Sequence, residues 1–306
     1  MPLLNSKFLS NWYTISVPNQ TKPVLVESFT QTKIQDASNK GMIQGDIGVR
    51  VMDVGTLYYS SSLSGPIIVP GSDALNNPIN DFVDLFNLIT DNVAYQKNGV
   101  VGNDISTLLL KSAQIQVTTE QVRATANFEG DFELASTTYN GEVLDDINLL
   151  ARTARFYDTY FYLGNITNPS VIVQGVNTFP VISGDININF DLDKNFFLGQ
   201  GQAPYFSIRG YNATGNVKVA LKPSQYTYLT TQIIGSNQAS GILNYNAGNI
   251  GVQIANFNLN KILNLGTAFV ITKIEFSMQQ NSIITATIEF NAFFNSDSKI
   301  YSFSNV

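Results

Sequence analysis

The residues best suited to chemistry in this 306-residue chain are a few clusters of carboxylates and aromatic rings. Asp191, Asp193 and Asn195 have the spacing with which a calcium loop presents oxygen ligands on one side of a turn. The motif fails further along, because Phe196 stands where the loop needs glycine and Gln202 where a bidentate glutamate would close the site. The run therefore predicts a polar turn after a strand rather than a metal site.

Other candidate sites are also incomplete. Asp145 and Asp146 are adjacent, and neighbours on a helix do not face one another, so they make a poor acid–base pair. Gly199 and Gly201 lack the third glycine and the following Lys or Ser of a phosphate-binding loop. The chain has no Cys and no His, which excludes disulfides and thiolate ligands and removes the commonest general base. We predict no catalytic residue, no metal site and no cofactor, and expect that the protein is not an enzyme.

One aromatic cluster could stack bases or sugars; it comprises Tyr157, Tyr160, Phe161 and Tyr162. Arg152 and Arg155 are the nearby positive charges, so packing in a core or an interface is favoured. A carbohydrate-binding β-sandwich that uses this cluster or Trp12 remains an alternative. A glycosidase remains formally open, because paired carboxylates need no histidine, but no motif brings two acids together.

Composition favours a protein that packs against other protein. Charged residues make up 13% of the chain and hydrophobic residues 44%, so Asn, Gln, Ser and Thr must supply the polar surface. The net charge of -6 and the lack of a basic stripe argue against affinity for nucleic acid. No run approaches the about 20 apolar residues of a membrane span, and the first residues do not form a signal peptide. We expect synthesis in the cytoplasm.

The chain contains what reads as a tandem duplication. A hairpin that begins at Ser112 aligns with one that begins at Lys273, and every apolar position has an apolar counterpart. The matched positions are Ala113, Ile115, Val117, Val122, Ala124, Ala126 and Phe128 in the first copy, and Ile274, Phe276, Met278, Ile284, Ala286, Ile288 and Phe290 in the second. Two further blocks align in the same order, residues 23–29 with 170–176 and residues 45–53 with 184–192.

Strict alternation in these blocks predicts strands with one apolar and one polar face. The predicted fold is mainly β, with two tandem antiparallel sandwich or barrel domains, each with a flanking helix. We place the first domain at 1–140, a helical connector at 141–166 and the second domain at 167–306.

The helix of the first copy is predicted from Phe82, Leu85, Phe86, Ile89 and Val93, which fall on one helical face. The connector helix is predicted from a similar pattern of Val143, Ile147, Leu150, Ala151, Ala154 and Phe161. Residues 254–265 are the candidate helix of the second copy.

The hairpins carry a resemblance to a known family. Residues 273–294, with Asn281 in the turn and Thr285 to Thr287 after it, resemble the hairpin of tail tube proteins of long-tailed bacteriophages and of contractile injection machines. Residues 111–132 depart from that pattern at Glu120 and Arg123. The similarity covers the two hairpins well and the remaining loops hardly at all.

The resemblance implies a virion structural protein, a tail tube subunit. Family members join their inner strands into one barrel around a lumen, and the rings stack into a channel for DNA ejection. Three copies of a duplicated chain would give a pseudo-sixfold ring, and a hexamer is the other possibility. The implied partners are the chain itself, sheath and baseplate proteins, and DNA in transit, with no membrane. The implied location is the virion tail, after synthesis in the host bacterial cytoplasm.

We hypothesise that the polar face of the hairpins lines the lumen. The residues concerned are Gln114, Gln116, Thr125, Asn127, Glu129, Glu275, Ser277, Thr285, Thr287 and Glu289. The resemblance also implies a loop that contacts the next ring, with residues 58–70 as the candidate, namely Tyr58, Tyr59, Leu63 and Pro66. A baseplate hub or distal tail ring of the same fold is the nearest alternative, and a capsid decoration protein is a weaker one.

Overall fold

A computed structural model gives the fold. It describes residues 13–16, 24–39, 52–69, 108–130, 135–138, 152–164, 175–195, 205–234, 250–256, 259–266, 268–279, 282–293 and 302–305. Most of this part of the chain is strand, and the paired strands are antiparallel. The prediction of a mainly β protein is confirmed.

The strands are numbered in chain order. They are β1 (Tyr13–Ser16), β2 (Val24–Val26), β3 (Ser28–Asn39), β4 (Met52–Pro66), β5 (Ile68–Val69), β6 (Leu108–Val117), β7 (Val122–Gly130), β8 (Ala135–Thr138), β9 (Arg152–Thr153), β10 (Thr159–Leu163), β11 (Thr178–Asn195), β12 (Tyr205–Leu221), β13 (Ile250–Asn256), β14 (Leu259–Asn264), β15 (Phe269–Ser277), β16 (Ile284–Phe293) and β17 (Ser302–Asn305). Helix α1 (Pro223–Tyr228) continues as a π-helical segment, Leu229–Ile234.

One continuous sheet runs through both halves of the chain. Neighbouring strands follow the order β3-β4-β7-β6-β11-β12-β16-β15. Within this run of eight strands the first four and the last four have the same internal order, so the run consists of two matching four-stranded units, and β10, β13, β14 and β17 extend the same sheet from β11. We call the contact of β6 with β11, where the units meet, the internal seam. The domain boundaries at 140 and 166 stay predictions.

The two hairpins match in register as well as in sequence. In β6–β7, Ala113 pairs with Ala126 and Ile115 with Ala124; in β15–β16, Ile274 pairs with Ile288. Both hairpins have a register shift at the aligned position, between Leu110 and Ser112 in one and between Ile271 and Lys273 in the other. A β-bulge kept at the same place indicates that the backbones correspond residue by residue.

One aligned block of the sequence is wrong. Residues 184–192 lie in β11, whose place in its unit is that of β3, whereas Met52 and Asp53 begin β4. Both strands alternate, and alternation alone does not say which strand of a unit a block belongs to. Residues 45–51 and 170–174 lie outside the described residues.

The core lies under one face of the sheet, between the sheet and strands that cover it. The start of β11, Thr178–Pro180, pairs with β10, and β10 is followed in the covering layer by β13, β14 and β17. β11 therefore belongs both to the long sheet and to the layer that covers it. Phe161 of β10 stacks on Phe290 of β16 with ring centroids 5.6 Å apart. Alternate residues of the long strands, such as Ile186 and Ile188, are buried on this side.

The predicted connector helix is wrong over its described part. Arg152–Thr153 is a strand paired with β5, residues 156–158 form one 3-10 turn, and Thr159–Leu163 is strand β10. Ala154 extends the link, since its N–H donates to Ile67 O and its carbonyl accepts from Val122 N–H. Thr, Tyr and Phe favour strands, and this outweighed the helical spacing of the apolar residues. Residues 141–151 lie outside the described residues.

The helix of the second half is α1, not residues 254–265, which include the end of β13 and the whole of β14. Pro223 stands at its first turn, where a missing N–H costs nothing. Buried Gln225 fastens the helix, because its Nε2 donates to Thr178 O at 2.6 Å. The helix predicted over residues 82–93 lies outside the described residues.

Candidate functional site

The face of the sheet opposite the core carries rows of polar residues, and we call it the polar face; Phe293, which pairs with Asn212 at its β16 end, is an exposed apolar member of it. One directly paired row crosses seven strands without a charge; its members are Ser28, Ser64, Thr125, Gln114, Asn187, Thr214 and Asn291. The next row consists of Thr30, Ser62, Asn127, Ser112, Asn189 and Asn212. Within it, Asn127 Nδ2 donates to Ser112 Oγ at 2.8 Å. These rows form a neutral, hydrogen-bonding wall.

The rows also show how the sheet is sheared. Thr125 of β7 and Thr287 of β16 occupy equivalent positions in the two hairpins. The row of directly paired residues that contains Thr125 nevertheless reaches β16 at Asn291, four residues beyond Thr287. A shift of four residues over four strands is one residue per strand. With ordinary strand spacings this corresponds to a tilt of about 35°, which is the tilt of strands in closed barrels.

Several charges of the polar face lie beyond these rows and form ion pairs, whereas Lys218 of β12 is exposed on the same face. Lys273 Nζ lies 2.8 Å from Glu275 Oε2 and 3.6 Å from Glu289 Oε1. The hydrogen bond and charge of Lys273 lower the pKa of Glu275, and Glu275 in turn raises the pKa of Lys273. In the first unit Arg123 binds Glu27, and Lys111 Nζ lies 2.5 Å from Glu129 Oε1. Lys273, Arg123 and Lys111 are thus each matched by a carboxylate.

The predicted lumen residues lie on one surface. Gln116, Glu275 and Ser277 are exposed, whereas Gln114, Thr125, Asn127, Thr285, Thr287 and Glu289 are half-buried. Glu129 differs, being only 4% exposed, because the amine of Lys111, which is the bulged residue of β6, lies against its carboxylate. Orientation toward a lumen stays a prediction.

Sequence reasoning missed the polar residues that β3, β4 and β12 contribute to the same surface, such as Thr30, Ser62 and Thr214. Their signal was available as alternation, since Ala213, Val217 and Val219 are buried between exposed Thr214, Asn216 and Lys218 in β12.

The candidate inter-ring stretch is not a loop. Residues 58–66 lie in β4, which is paired with β3 on one side and with β7 on the other. Leu63 is fully buried and Tyr58 is buried against Ile34, so neither presents the surface expected of a projecting loop. The run of Tyr, Ser and Leu has the alternation of a half-buried strand. A contact with a neighbouring ring through Tyr59 or Pro66 stays untested.

The clusters considered for chemistry have structural places. Asp191, Asp193 and Asn195 lie within β11, so the predicted turn is wrong and the run is a paired strand. Phe161 and Tyr162 are buried in the core, and burial raises the pKa of the Tyr162 hydroxyl, while Tyr157 is exposed. Within the described ranges, no three acidic side chains converge as metal ligands. Nor does any helix there have the length and apolar character to cross a membrane.

The internal seam shows how one unit joins the next. Six residues of β6, from Ser112 to Val117, pair with β11 from Asn189 to Gly184. The apolar side of the seam is closed, since Ile115, Ile186 and Ile188 are each 2% exposed. On the opposite side of β11, Gly184 fits tightly against β12, because a Cβ on it would lie 2.7 Å from the carbonyl oxygen of Asn216.

Comparisons with known proteins find likenesses of structure only. A chain in the tail of an empty gene transfer agent particle, obtained by helical refinement with C6 symmetry, is similar at 16% identity and a TM-score of 0.29, over 48% of this chain and 96% of that chain. A chain in the virion of a native gene transfer agent particle is similar at 14% identity and a TM-score of 0.25, over 40% of this chain and 84% of that chain. No family model and no curated protein matches.

Proposed function

We propose that this chain is the tail tube subunit of a phage-like virion, with a structural rather than a catalytic role. Copies would join their sheets into a ring, and stacked rings would form a channel for DNA. The observation that carries the proposal is the run of eight paired strands, in which one four-stranded unit occurs twice and one face carries two neutral polar rows. The hairpins' resemblance to tail tube proteins agrees with it.

The way in which the units join supports ring formation. When the last strand of one unit pairs with the first strand of the next, each unit uses two different edges. Such a heterologous interface adds units until the rotation between neighbours closes a ring. The internal seam is one such junction, and the tilt of about 35° suits a barrel at every strand number. Closure would also satisfy the backbone groups of the two outer strands.

The size of the channel favours three copies. At strand spacings of about 4.8 Å, 24 tilted strands close a barrel of about 45 Å between opposite backbones, whereas 16 strands give about 30 Å. Once side chains fill both walls, the larger barrel leaves room for a DNA duplex and the smaller one does not. Three chains of eight strands would therefore make the ring.

The polar face suits DNA in transit. Retention of DNA needs cations that displace counterions from phosphates. The two neutral rows offer amides and hydroxyls, and Arg123, Lys111 and Lys273 are neutralised by carboxylates. Lys218 is an exposed cation of the same face. A duplex would therefore meet a wall with few cations to hold it.

Electron microscopy of the purified chain tests the proposal. We expect tubes of stacked rings with an axial channel. Single rings that never stack would favour the hub or distal tail alternative, and a monodisperse single chain at high concentration would overturn both. A cysteine introduced at Gln114 supplies a second readout. It should react with a bulky maleimide in the dissociated chain and be protected in tubes, whereas a cysteine at Tyr157 serves as the matched control on the covering layer.

A further inference from the structure

The two outer strands of the sheet are complementary to each other. Within the described part of the chain, β3 pairs with β4 alone and β15 with β16 alone. β3 occupies the first place of its unit, as β11 does, and β15 occupies the last place, as β6 does. The pair β15 and β3 therefore has the same relation as β6 and β11, but its members lie at opposite ends of one chain.

We infer that β15 of one copy pairs antiparallel with β3 of the next copy, in the register of the internal seam. This inference rests on the proposed function and specifies the surface by which copies recognise each other. The occupant of each edge is a second copy of this chain, because the internal seam already shows that these two kinds of edge fit.

The register follows from the two alignments that the structure provides. β6 pairs with β7 as β15 pairs with β16, so superposing the two hairpins places Gln116 at the position of Ser277. In the same way, β3 pairs with β4 as β11 pairs with β12, which places Thr30 at the position of Asp185. Because Gln116 faces Asp185 across the internal seam, Ser277 is expected to face Thr30. The full set of expected pairs is Lys273–Ile34, Ile274–Lys33, Glu275–Thr32, Phe276–Gln31, Ser277–Thr30 and Met278–Phe29.

Burial agrees with a missing partner at these edges. Val117 of the internal seam is 4% exposed, whereas Met278, which corresponds to it, is 54% exposed. Phe29, which would face Met278, is also only partly buried. The expected register places these two apolar side chains against each other and covers both.

The two outer strands are long and contain no proline. β3 has twelve residues and β15 has nine, and long edge strands present backbone groups that attract partners. Lys33 of β3 and Lys273 of β15 are the charges at these edges that oppose indiscriminate pairing. The bulge of β15 does not prevent pairing, because β6 has the same bulge and still pairs over Ser112–Val117.

Disulfide trapping tests the register, and the natural chain has no cysteine to interfere. The test variant carries Ser277→Cys and Thr30→Cys. Its internal control carries Gln116→Cys and Asp185→Cys, the corresponding pair within one chain. A register control carries Ser277→Cys with Ile34→Cys, which moves one partner by four residues, or about 13 Å along the strand. The products of mild oxidation are separated on non-reducing gels.

We expect the internal control to form a bond within one chain, and the test variant to form a covalent ladder between chains that ends at the number of copies in a ring. The register control should give less than a tenth of that ladder. Rings in micrographs without a ladder from the test variant would overturn the register and leave the tube intact. A ladder without stacked tubes would support the register and contradict the tube. A ladder that is equally strong in the register control would contradict the register.

Discussion

The hairpins β6–β7 and β15–β16 have the same backbone and different surroundings. Both hold a bulge at the same place, and both direct alternate residues into the core. In the first hairpin Ala113, Ile115 and Val117 are at most 4% exposed, because β11 covers that edge. In the second, Ile274 and Phe276 are only half-buried and Met278 is exposed.

The difference in burial runs against the difference in residue type. Ile, Phe and Met at the outer edge are larger and expose more apolar surface than Ala, Ile and Val at the inner one. If each residue were chosen for the isolated chain, the larger apolar side chains would be the buried ones. The comparison therefore supports the inference that another strand covers β15.

The largest effect is expected where the two hairpins are alike. Phe290→Ala removes a ring that is 1% exposed and stacked on Phe161, and should lower the free energy of unfolding by about 3–5 kcal/mol. Phe128→Ala, at the corresponding position, should have an effect of the same size. Denaturant unfolding at one fixed protein concentration measures both. A cost below about 1 kcal/mol for either variant would break the equivalence of the units.

The next effect should separate the hairpins. Val117→Asp buries a carboxylate in the internal seam and should destabilise the chain by about 3 kcal/mol or more. Met278→Asp should change the unfolding of the dilute chain by about 0.5 kcal/mol at most, since the side chain is 54% exposed. It should nevertheless prevent assembly, as followed by size-exclusion chromatography. Normal assembly of Met278→Asp would contradict the role of β15 as an interface.

A smaller effect concerns the residue that faces each core phenylalanine. A Cβ on Gly215 would lie 2.2 Å from Cζ of Phe290, so Gly215→Ala should overpack the core and cost about 1–3 kcal/mol. Ser61, the counterpart that pairs with Phe128, already has a Cβ. Ser61→Ala should cost about 1 kcal/mol through the loss of its hydrogen bond to Gln31 Oε1 at 3.1 Å. Thermal unfolding compares them, and the reverse order would contradict the matched packing.

The smallest effect concerns pH. The interaction of ionised Glu275 with Lys273, which lowers the pKa of Glu275, stabilises the fold at pH values above the ordinary carboxyl pKa of 4.5. This stabilisation is lost as the pH falls through the pKa that Glu275 has in the folded state. The same ion pair raises the pKa of Lys273, so the charged amine stabilises the fold at pH values below its ordinary pKa of 10.5. That stabilisation is lost as the pH rises through the folded-state pKa of Lys273. Lys273→Ser with Glu289→Asn copies the neutral Ser112–Asn127 pair. It should flatten the dependence of the melting temperature on pH, and an unchanged profile would contradict the assignment.

Much of the local structure was predictable from the residues. The alternation in both hairpins predicted the faces, and the spacing of matched apolar residues agrees with the observed register. Helix α1 was missed although Pro223 at its first turn, with Leu229 and Ile233 four residues apart, is a signal of a helix start and its buried side. β13 was missed although Ile250, Val252 and Ile254 alternate.

The pairing of β6 with β11 could not be predicted in the same way. The two strands are distant in the chain, and each has an alternation that suits any neighbour with an apolar face. The polar face was therefore predicted only hairpin by hairpin, and the rows through β4, β11 and β12 required the structure. The tilt depends on registers between strands that no local pattern contains.

Native mass spectrometry of the purified chain tests most directly whether the repeated sheet closes between copies. The single chain has a mass of 33.6 kDa. We expect the smallest stable assembly to contain three chains and larger ones to contain multiples of three. A protein that stays a single chain, or that stops at two, would contradict closure of the sheet into a ring.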